Sequence, residues 1–319
     1  MKEIIRILNK AKRILILSHL RPDGDSISSQ KALYLVLKNM GKEVKITARD
    51  NVPELYQFLD KDNVFSTDFS EDYHPDTVVY LDSAHRDRVG RDLIGKLSRQ
   101  INNAVTVNID HHVSNENYAD YNYVDPDMSS TCEILYTMFN KMNAAIDPDT
   151  ATAILTGIVT DTGYFKYKSV TSSTLKTAAS LMDSGADLYS VSEKIYMNRP
   201  LAKVQLESRV LERIEMMEDR AVSFIYNKDF TELGAKSEYT DGIVNQMLYI
   251  RGITLSVLII EHGKDVRISF RSKGDKYNVN NIAALIDGGG HPNASGAYMD
   301  NTDAVKAGTI VKEIIGKLE

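Results

Sequence analysis

Residues 13–25 read Arg13-Ile14-Leu15-Ile16-Leu17-Ser18-His19-Leu20-Arg21-Pro22-Asp23-Gly24-Asp25. The four aliphatic residues form a short β-type run flanked by polar residues, as expected of a buried strand. A histidine and two aspartates follow at once, and Pro22 and Gly24 ease a turn that can bring residues 19, 23 and 25 to one point. Two later apolar runs end in the same way. Val78-Val79-Tyr80-Leu81 leads into Asp82, and Ala104-Val105-Thr106-Val107-Asn108-Ile109 leads into Asp110-His111-His112. If all three are parallel strands, their carboxyl ends share the edge where open α/β sheets place their sites.

The surrounding pattern supports such a sheet. Residues 26–40 carry helical spacing and stop at Gly41, and residues 43–47 form a further strand. Strands alternating with helices imply βαβ units, hence an α/β fold with a mostly parallel sheet flanked by helices. From about Ser130 the chain turns helical: 132–142, 148–159 behind Asp147 and Pro148, 171–182 and 187–196. Asn198-Arg199-Pro200 breaks the pattern before a helix over 201–217. Strands over 221–226, 253–261 and 265–271 and helices over 278–286 and 303–318 predict a smaller C-terminal α/β domain. The expected division is a catalytic domain over 1–190, a helical linker over 191–205 and a substrate-binding domain over 206–319.

Composition sets outer limits. A chain of 319 residues is long for one core, and a net charge of −6 argues against a broad basic surface for duplex nucleic acid while leaving room for a local phosphate site. The single cysteine, Cys132, excludes an internal disulfide and fits a reducing compartment. Met1-Lys2-Glu3-Ile4-Ile5-Arg6 reads as a charged amphipathic helix, not a signal peptide, and no apolar run is long enough for a membrane span. A cytoplasmic location without a membrane partner is the expectation.

Taken singly, the polar residues have ordinary readings. Asp-Gly-Asp can be a helix N-cap, and a strand-end histidine can be a satisfied polar group. Together, His19, Asp23, Asp25, Asp82, His111 and Asp161, the last at the end of the 148–159 helix, read as metal ligands. Imidazole nitrogen with carboxylate oxygen suits manganese, and less ideally magnesium or iron, while no thiolate cluster points to structural zinc. Four aspartates and two histidines are too many for one ion with an open position. They fit two ions about 3.5–4 Å apart with shared carboxylates, an arrangement used for phosphoryl hydrolysis. His74, His85 and His262 lack such a setting. Further on, Val266, Ile268 and Phe270 alternate with Arg267, Ser269 and Arg271, which places both arginines on one strand face. That is either a solvated face or a phosphate fork. Gly288-Gly289-Gly290-His291 after a helix is either a C-cap or a backbone that a phosphate can approach closely.

The motifs His19-Leu20-Arg21-Pro22-Asp23-Gly24-Asp25, Asp82, Asp110-His111-His112 and Asp161, in that order, resemble the DHH phosphoesterases. Gly288-Gly289-Gly290-His291-Pro292-Asn293-Ala294-Ser295-Gly296 resembles the glycine-rich motif of their attached DHHA1 domain. Within the family, the likeness is to the bacterial group that degrades nanoRNA and dephosphorylates pAp. The resemblance implies that His19, Asp23, Asp82 and Asp161 hold one manganese. Asp25, Asp82, His111 and Asp161 would hold a second, with magnesium or cobalt as substitutes. It further implies that Asp110 orients His111, that His112 meets the scissile phosphate as hydrogen-bond donor or acid, and that Arg88, Arg271, Gly289, Gly290 and His291 bind substrate. Short single-stranded RNA or DNA and pAp are the implied substrates, and a homodimer the implied assembly. Two positions depart from the family pattern: Ser28 stands where glycine is frequent, and Arg21 where asparagine is. A linear dinucleotide hydrolase, a pyrophosphatase or polyphosphatase, and a non-catalytic nucleotide binder are the rival readings.

Overall fold

The computed structural model describes residues 1–68 and 72–318. They form two compact units that divide between Asn198 and Arg199. In the first, strands β1 (Arg13–Leu17), β2 (Glu43–Thr47), β3 (Phe65–Ser66), β4 (Thr77–Leu81), β5 (Val105–Asp110) and β6 (Tyr121–Val124) build a sheet in the order β3-β2-β1-β4-β5-β6. Every neighbouring pair is parallel. Helices α1 (Lys2–Lys10), α2 (Gly24–Asn39), α3 (Arg91–Lys96), α4 (Ser98–Asn102), α5 (Thr131–Met142), α6 (Pro148–Asp161), α7 (Ser172–Asp183) and α8 (Leu188–Ser192) complete this unit.

The sheet is covered on both faces. Ile14, Ile16, Val79, Leu81, Val107 and Ile109 pack under α2, α5 and α6. Leu15, Leu17, Val78 and Tyr80 pack on the other side with residues of α3 and α4. This explains why β1 and β4 read as unbroken apolar runs without alternation. Chain order runs outward from β1 through β2 to β3 on one side, and from β4 through β5 to β6 on the other. The reversal between β1 and β4 is a topological switch point, and it opens a crevice at the carboxyl ends of those strands.

The second unit contains α9 (Leu201–Glu212), α10 (Asn227–Leu233), α11 (Ile243–Leu248), α12 (Val279–Ala284) and α13 (Ala304–Gly316). Its mixed sheet uses β7 (Glu215–Met217), β8 (Arg220–Ile225), β9 (Leu255–His262), β10 (Asp265–Ser272), β11 (Gly289–His291) and β12 (Ala294–Met299), ordered β11-β12-β10-β9-β8-β7. Separate apolar clusters lie on its two faces. Among the described residues, no helix is long and apolar enough to cross a membrane.

Several elements differ from the sequence expectation. The helix expected over 201–217 ends at Glu212, and residues 215–217 become the edge strand β7. The helix expected over 187–196 is α8 followed by a π-helical turn over Glu193–Met197. The segment Gly288–His291 is not a loop: residues 289–291 form the edge strand β11, paired with β12. Strands β3, β6 and β12 escaped the reading because they are very short, half exposed, or built from Ala, Ser and Gly with weak β preference.

Candidate metal centre

His19 leaves the end of β1, Asp82 the end of β4, and Asp110-His111-His112 the end of β5. Asp23 is the N-cap of α2, its carboxylate accepting from the Ser26 N–H at 3.1 Å, and Asp25 lies in the first turn. Asp161 is the last residue of α6. The structure gathers these side chains into overlapping groups: His19, Asp23 and Asp82; Asp25, His111 and Asp161; and Asp82, His111 and His112, each with donor atoms within 4.8 Å of one another.

The distances fit shared cations better than hydrogen bonds. His19 Nε2 is 3.5 Å from Asp82 Oδ2, and His111 Nε2 is 3.6 Å from Asp82 Oδ1 and 3.3 Å from Asp161 Oδ2. These separations are too long for good hydrogen bonds. They suit donors that each reach about 2.1 Å to a common ion. The two oxygens of Asp82 face different histidines, one from each neighbouring strand. Asp82 also adopts a left-handed φ of 53°, a conformation costly for a non-glycine residue and concentrated at functional sites. His19 Nδ1 bonds the Leu20 carbonyl at 2.8 Å, which places a proton on Nδ1 and turns Nε2 towards Asp82.

Close helix crossing makes the cluster possible. A Cβ at Gly24 would overlap Thr160, and one at Gly157 would overlap Cys132 Sγ and Asp25 Oδ1. Glycine at both positions lets α2 and α6 approach until Asp25 and Asp161 share one site. Asp25 is 1% exposed and accepts the Thr131 and Cys132 N–H groups, at 2.7 and 3.0 Å, from the N-terminus of α5.

The electrostatics mark a crowded anionic pocket that histidines compensate only in part. Burial and the Asp82 charge push Asp25 up to about 7. Burial and the charges of Asp25, Asp23 and Asp82 raise Asp161 well above the carboxylate range. Burial opposes ionisation of Asp82, but His19, His112 and His111 outweigh it and hold its carboxyl far below the usual range. Burial likewise disfavours charged His19, yet Asp23 and Asp82 raise it to about 10.

Asp110 acts on a different neighbour than expected. Its Oδ1 bonds His112 Nδ1 at 2.6 Å and meets His111 only through the backbone N–H, at 2.9 Å. The expectation that Asp110 orients the His111 ring is therefore corrected: the carboxylate is turned towards the His112 ring. Asn115 donates to Asp110 Oδ2 at 2.6 Å, completing a half-buried Asn115–Asp110–His112 chain. Two residues of this site went unread in the sequence. Asn115 carries no local signal. Thr131, whose hydroxyl donates to Asp82 Oδ1 at 3.1 Å, does: Ser130 and Glu133 stand at capping-box spacing, and a helix N-terminus is a natural carboxylate site.

The remaining candidates are spread out. Arg88 is exposed on a 3-10 turn over residues 86–89, and its carbonyl accepts the Leu20 N–H at 2.6 Å, bracing the loop behind His19. Ser28 is buried in α2 and Arg21 is exposed, its N–H bonded to Asp50 at 2.7 Å; neither displaces a donor. In the second unit, the register pairs Arg271 with Ala294 and Ala294 with His291. Arg271 and His291 therefore stand in one row on one sheet face, with a small residue between them. Ser269, Gly296 and Gly289 form the next row on that face. Gly288 and Gly290 are required by packing, since a Cβ would strike backbone atoms of β12. The Gly290 N–H is bonded to Asn280 Oδ1 at 2.8 Å. Gly289, by contrast, has room for a side chain and faces solvent.

Fold and site together define a hydrolase of the open α/β type, with carboxylate and imidazole donors gathered at the switch point. Residues 13–158 match the DHH family, N-terminal domain, and residues 209–318 match the DHHA1 domain. The chain belongs to the DHH family and is a phosphoester hydrolase of its DHHA1-bearing branch. A Thermus thermophilus protein named bifunctional oligoribonuclease and PAP phosphatase NrnA is 30% identical over 303 residues, covering 95% of this chain and 89% of that protein. A Bacillus subtilis protein of the same name is 29% identical over 324 residues, covering 98% of each. Among solved structures, an exopolyphosphatase-related protein from Bacteroides fragilis aligns with a TM-score of 0.89 at 26% identity, covering 98% of this chain and 95% of the other.

Proposed function

We propose that this chain hydrolyses short oligonucleotides to mononucleotides and removes the 3′-phosphate of pAp, using two manganese ions. The observation that carries the reading is Asp82, buried between histidines of two strands with one oxygen towards each. The names of the Thermus and Bacillus relatives support the substrate class. His19, Asp23, Asp82 and Asp161 would hold one ion, and Asp25, Asp82, His111 and Asp161 the other. Magnesium would serve less well with this mixed nitrogen and oxygen set, and cobalt is a further substitute. When bound, the pair supplies charge neutralisation and lowers the pKa of the attacking water.

The side chains do the rest. Asp110 fixes the Nδ1 proton of His112, so Nε2 is the nitrogen that meets a phosphate or leaving oxygen. Arg271 and His291 would hold a second phosphate of the substrate, and Gly289 would let its backbone come close. Arg88 is proposed as a further phosphate contact. We propose a cytoplasmic homodimer as the working form.

A panel of pAp, pApA, pGpG, pyrophosphate and RNA of two to five and of 24 nucleotides, with added manganese and phosphate or chromatographic detection, tests this. Turnover of pAp and the shortest RNAs well above the 24-mer is expected; equal rates on all lengths would overturn it. The Bacteroides relative's description favours a second reading, polyphosphate hydrolysis. Pyrophosphate turnover exceeding that of every nucleotide would select it.

A further inference from the structure

Gly163, Tyr164 and Phe165 follow the last residues of α6, and all three take left-handed φ values, of 55°, 62° and 59°. A helix end needs one such residue, normally glycine or asparagine. Here the turn continues through two aromatic residues, where the conformation is costly. It is firmly held: the Tyr164 N–H bonds the Val159 carbonyl at 2.7 Å, and the Phe165 N–H bonds Thr162 Oγ1 at 3.0 Å. Buried Thr162 in turn donates to the Ile158 carbonyl at 2.6 Å.

The turn presents one ring to solvent. Tyr164 is 40% exposed, while Phe165 is half-buried beneath it. The Tyr164 ring is fixed edge-to-face by Phe165, with centroids 6.0 Å apart, and by Tyr196, at 5.6 Å. Next in sequence come Lys166, Tyr167 and Lys168, all exposed. Aromatic and basic side chains thus interleave within five residues of a chain whose net charge is −6. Asp161 of the metal centre lies three residues before Tyr164.

We propose that Tyr164 is a stacking platform for a nucleobase of the bound substrate, with Lys166 and Lys168 near its phosphates. The proposal rests on the reading that the substrate is a nucleotide. It also supplies what the metal centre lacks. Carboxylates and imidazoles handle a phosphate and cannot tell a nucleotide from any other phosphoester. A pre-ordered ring three residues along the chain from Asp161 does, and it does so for every base, because each base has a π-face.

The chain contains no tryptophan. Tyr164→Trp therefore creates a single tryptophan at the proposed platform, which can be excited apart from the tyrosines. AMP should quench its emission, and ribose 5-phosphate should not. In steady-state assays on pApA, Tyr164→Ala should raise KM about tenfold with little change in kcat, and Tyr164→Phe should restore KM. Quenching by AMP alone, with that KM pattern, supports the platform. Equal quenching by both ligands, no quenching, or an unchanged KM in Tyr164→Ala overturns it. The fluorescence titration needs no turnover. If pyrophosphate proves the better substrate, quenching still decides the platform while the proposed function falls. If nucleotides are hydrolysed without quenching, only the platform falls.

Discussion

Each unit of this protein buries carboxylates, and the two handle them in opposite ways. In the second unit, fully buried Asp229 accepts from Arg209, Arg213 and the Tyr226 N–H. In the first, Asp25, Asp82 and Asp110 are also buried, and Asp161 joins them. Among the described residues, no lysine or arginine forms an ion pair with Asp23, Asp25, Asp82 or Asp161. Among the described residues, the cationic side chains that face them are histidines. Ionisation splits the first cluster, with Asp25 pushed up to about 7 and Asp161 raised while histidines hold Asp82 down, whereas arginines hold Asp229 down to about 2. A buried anion matched by fixed arginines is a strut. A buried cluster without them needs mobile cations, because isolated buried charge is very costly.

The comparison breaks most sharply at Asp82. Asp82→Asn should lower kcat at least about 10⁴-fold, since it weakens both proposed ion sites at once. Manganese at 100 times its Kd should stabilise the wild-type chain by about 2.7 kcal/mol per site. The variant should lose most of that shift yet remain folded without metal, because one charge leaves a repulsive cluster. Activity assays with thermal unfolding, each with and without manganese, check this. Near-wild-type turnover at saturating manganese would remove Asp82 from the centre.

A smaller effect separates holding ions from moving protons. His112→Ala and Asp110→Asn should each cost about 10²–10³-fold in kcat while leaving the manganese-induced thermal shift nearly intact. Loss of that shift in His112→Ala would instead make His112 a ligand, which its place beside Asp82 and His111 allows.

Most of the first unit was legible because its information is local. Apolar runs mark β1, β4 and β5, and each donor sits directly after its strand, so the parallel sheet and the convergence followed from the motifs. Asp161 was legible only as a helix-end residue. What was not legible depends on contacts distant in sequence. The Thr131 hydroxyl reaches Asp82 across 49 positions. The tight passage at Gly157 is imposed by Cys132 and Asp25 on other helices. In the second unit, alternation along β10 placed Arg267 and Arg271 on one face correctly, but it could not separate their roles. Arg267 is bonded to Thr240 at 2.7 Å, whereas Arg271 shares its row with His291.

That row gives the next test. Arg271→Ala should raise KM for pAp about tenfold, the loss expected of one charge-assisted phosphate contact, with kcat changed little. The manganese-induced thermal shift should be unchanged, which distinguishes this face from the metal centre. A fall in kcat with constant KM would place Arg271 in the chemistry instead.

The smallest effect on activity should come from Asp229, and it tests the other side of the comparison. Burial alone would raise its pKa, but Arg213, the Tyr226 N–H and Arg209 outweigh it and hold the group down to about 2, against about 3.9 in an unfolded chain. A carboxylate depressed on folding stabilises the native state above its unfolded pKa, and that contribution is lost as pH falls from about 4 to 2. The shift corresponds to about 2–3 kcal/mol at neutral pH. Asp229→Asn should cost about 2–4 kcal/mol at pH 7, because it also leaves half-buried Arg213 without its counter-charge and Arg209 with Glu232 alone. The difference from wild type should shrink towards pH 2. Denaturant unfolding across that range measures it, and manganese should not alter the gap, since fixed arginines already do for Asp229 what added cations are proposed to do for Asp82.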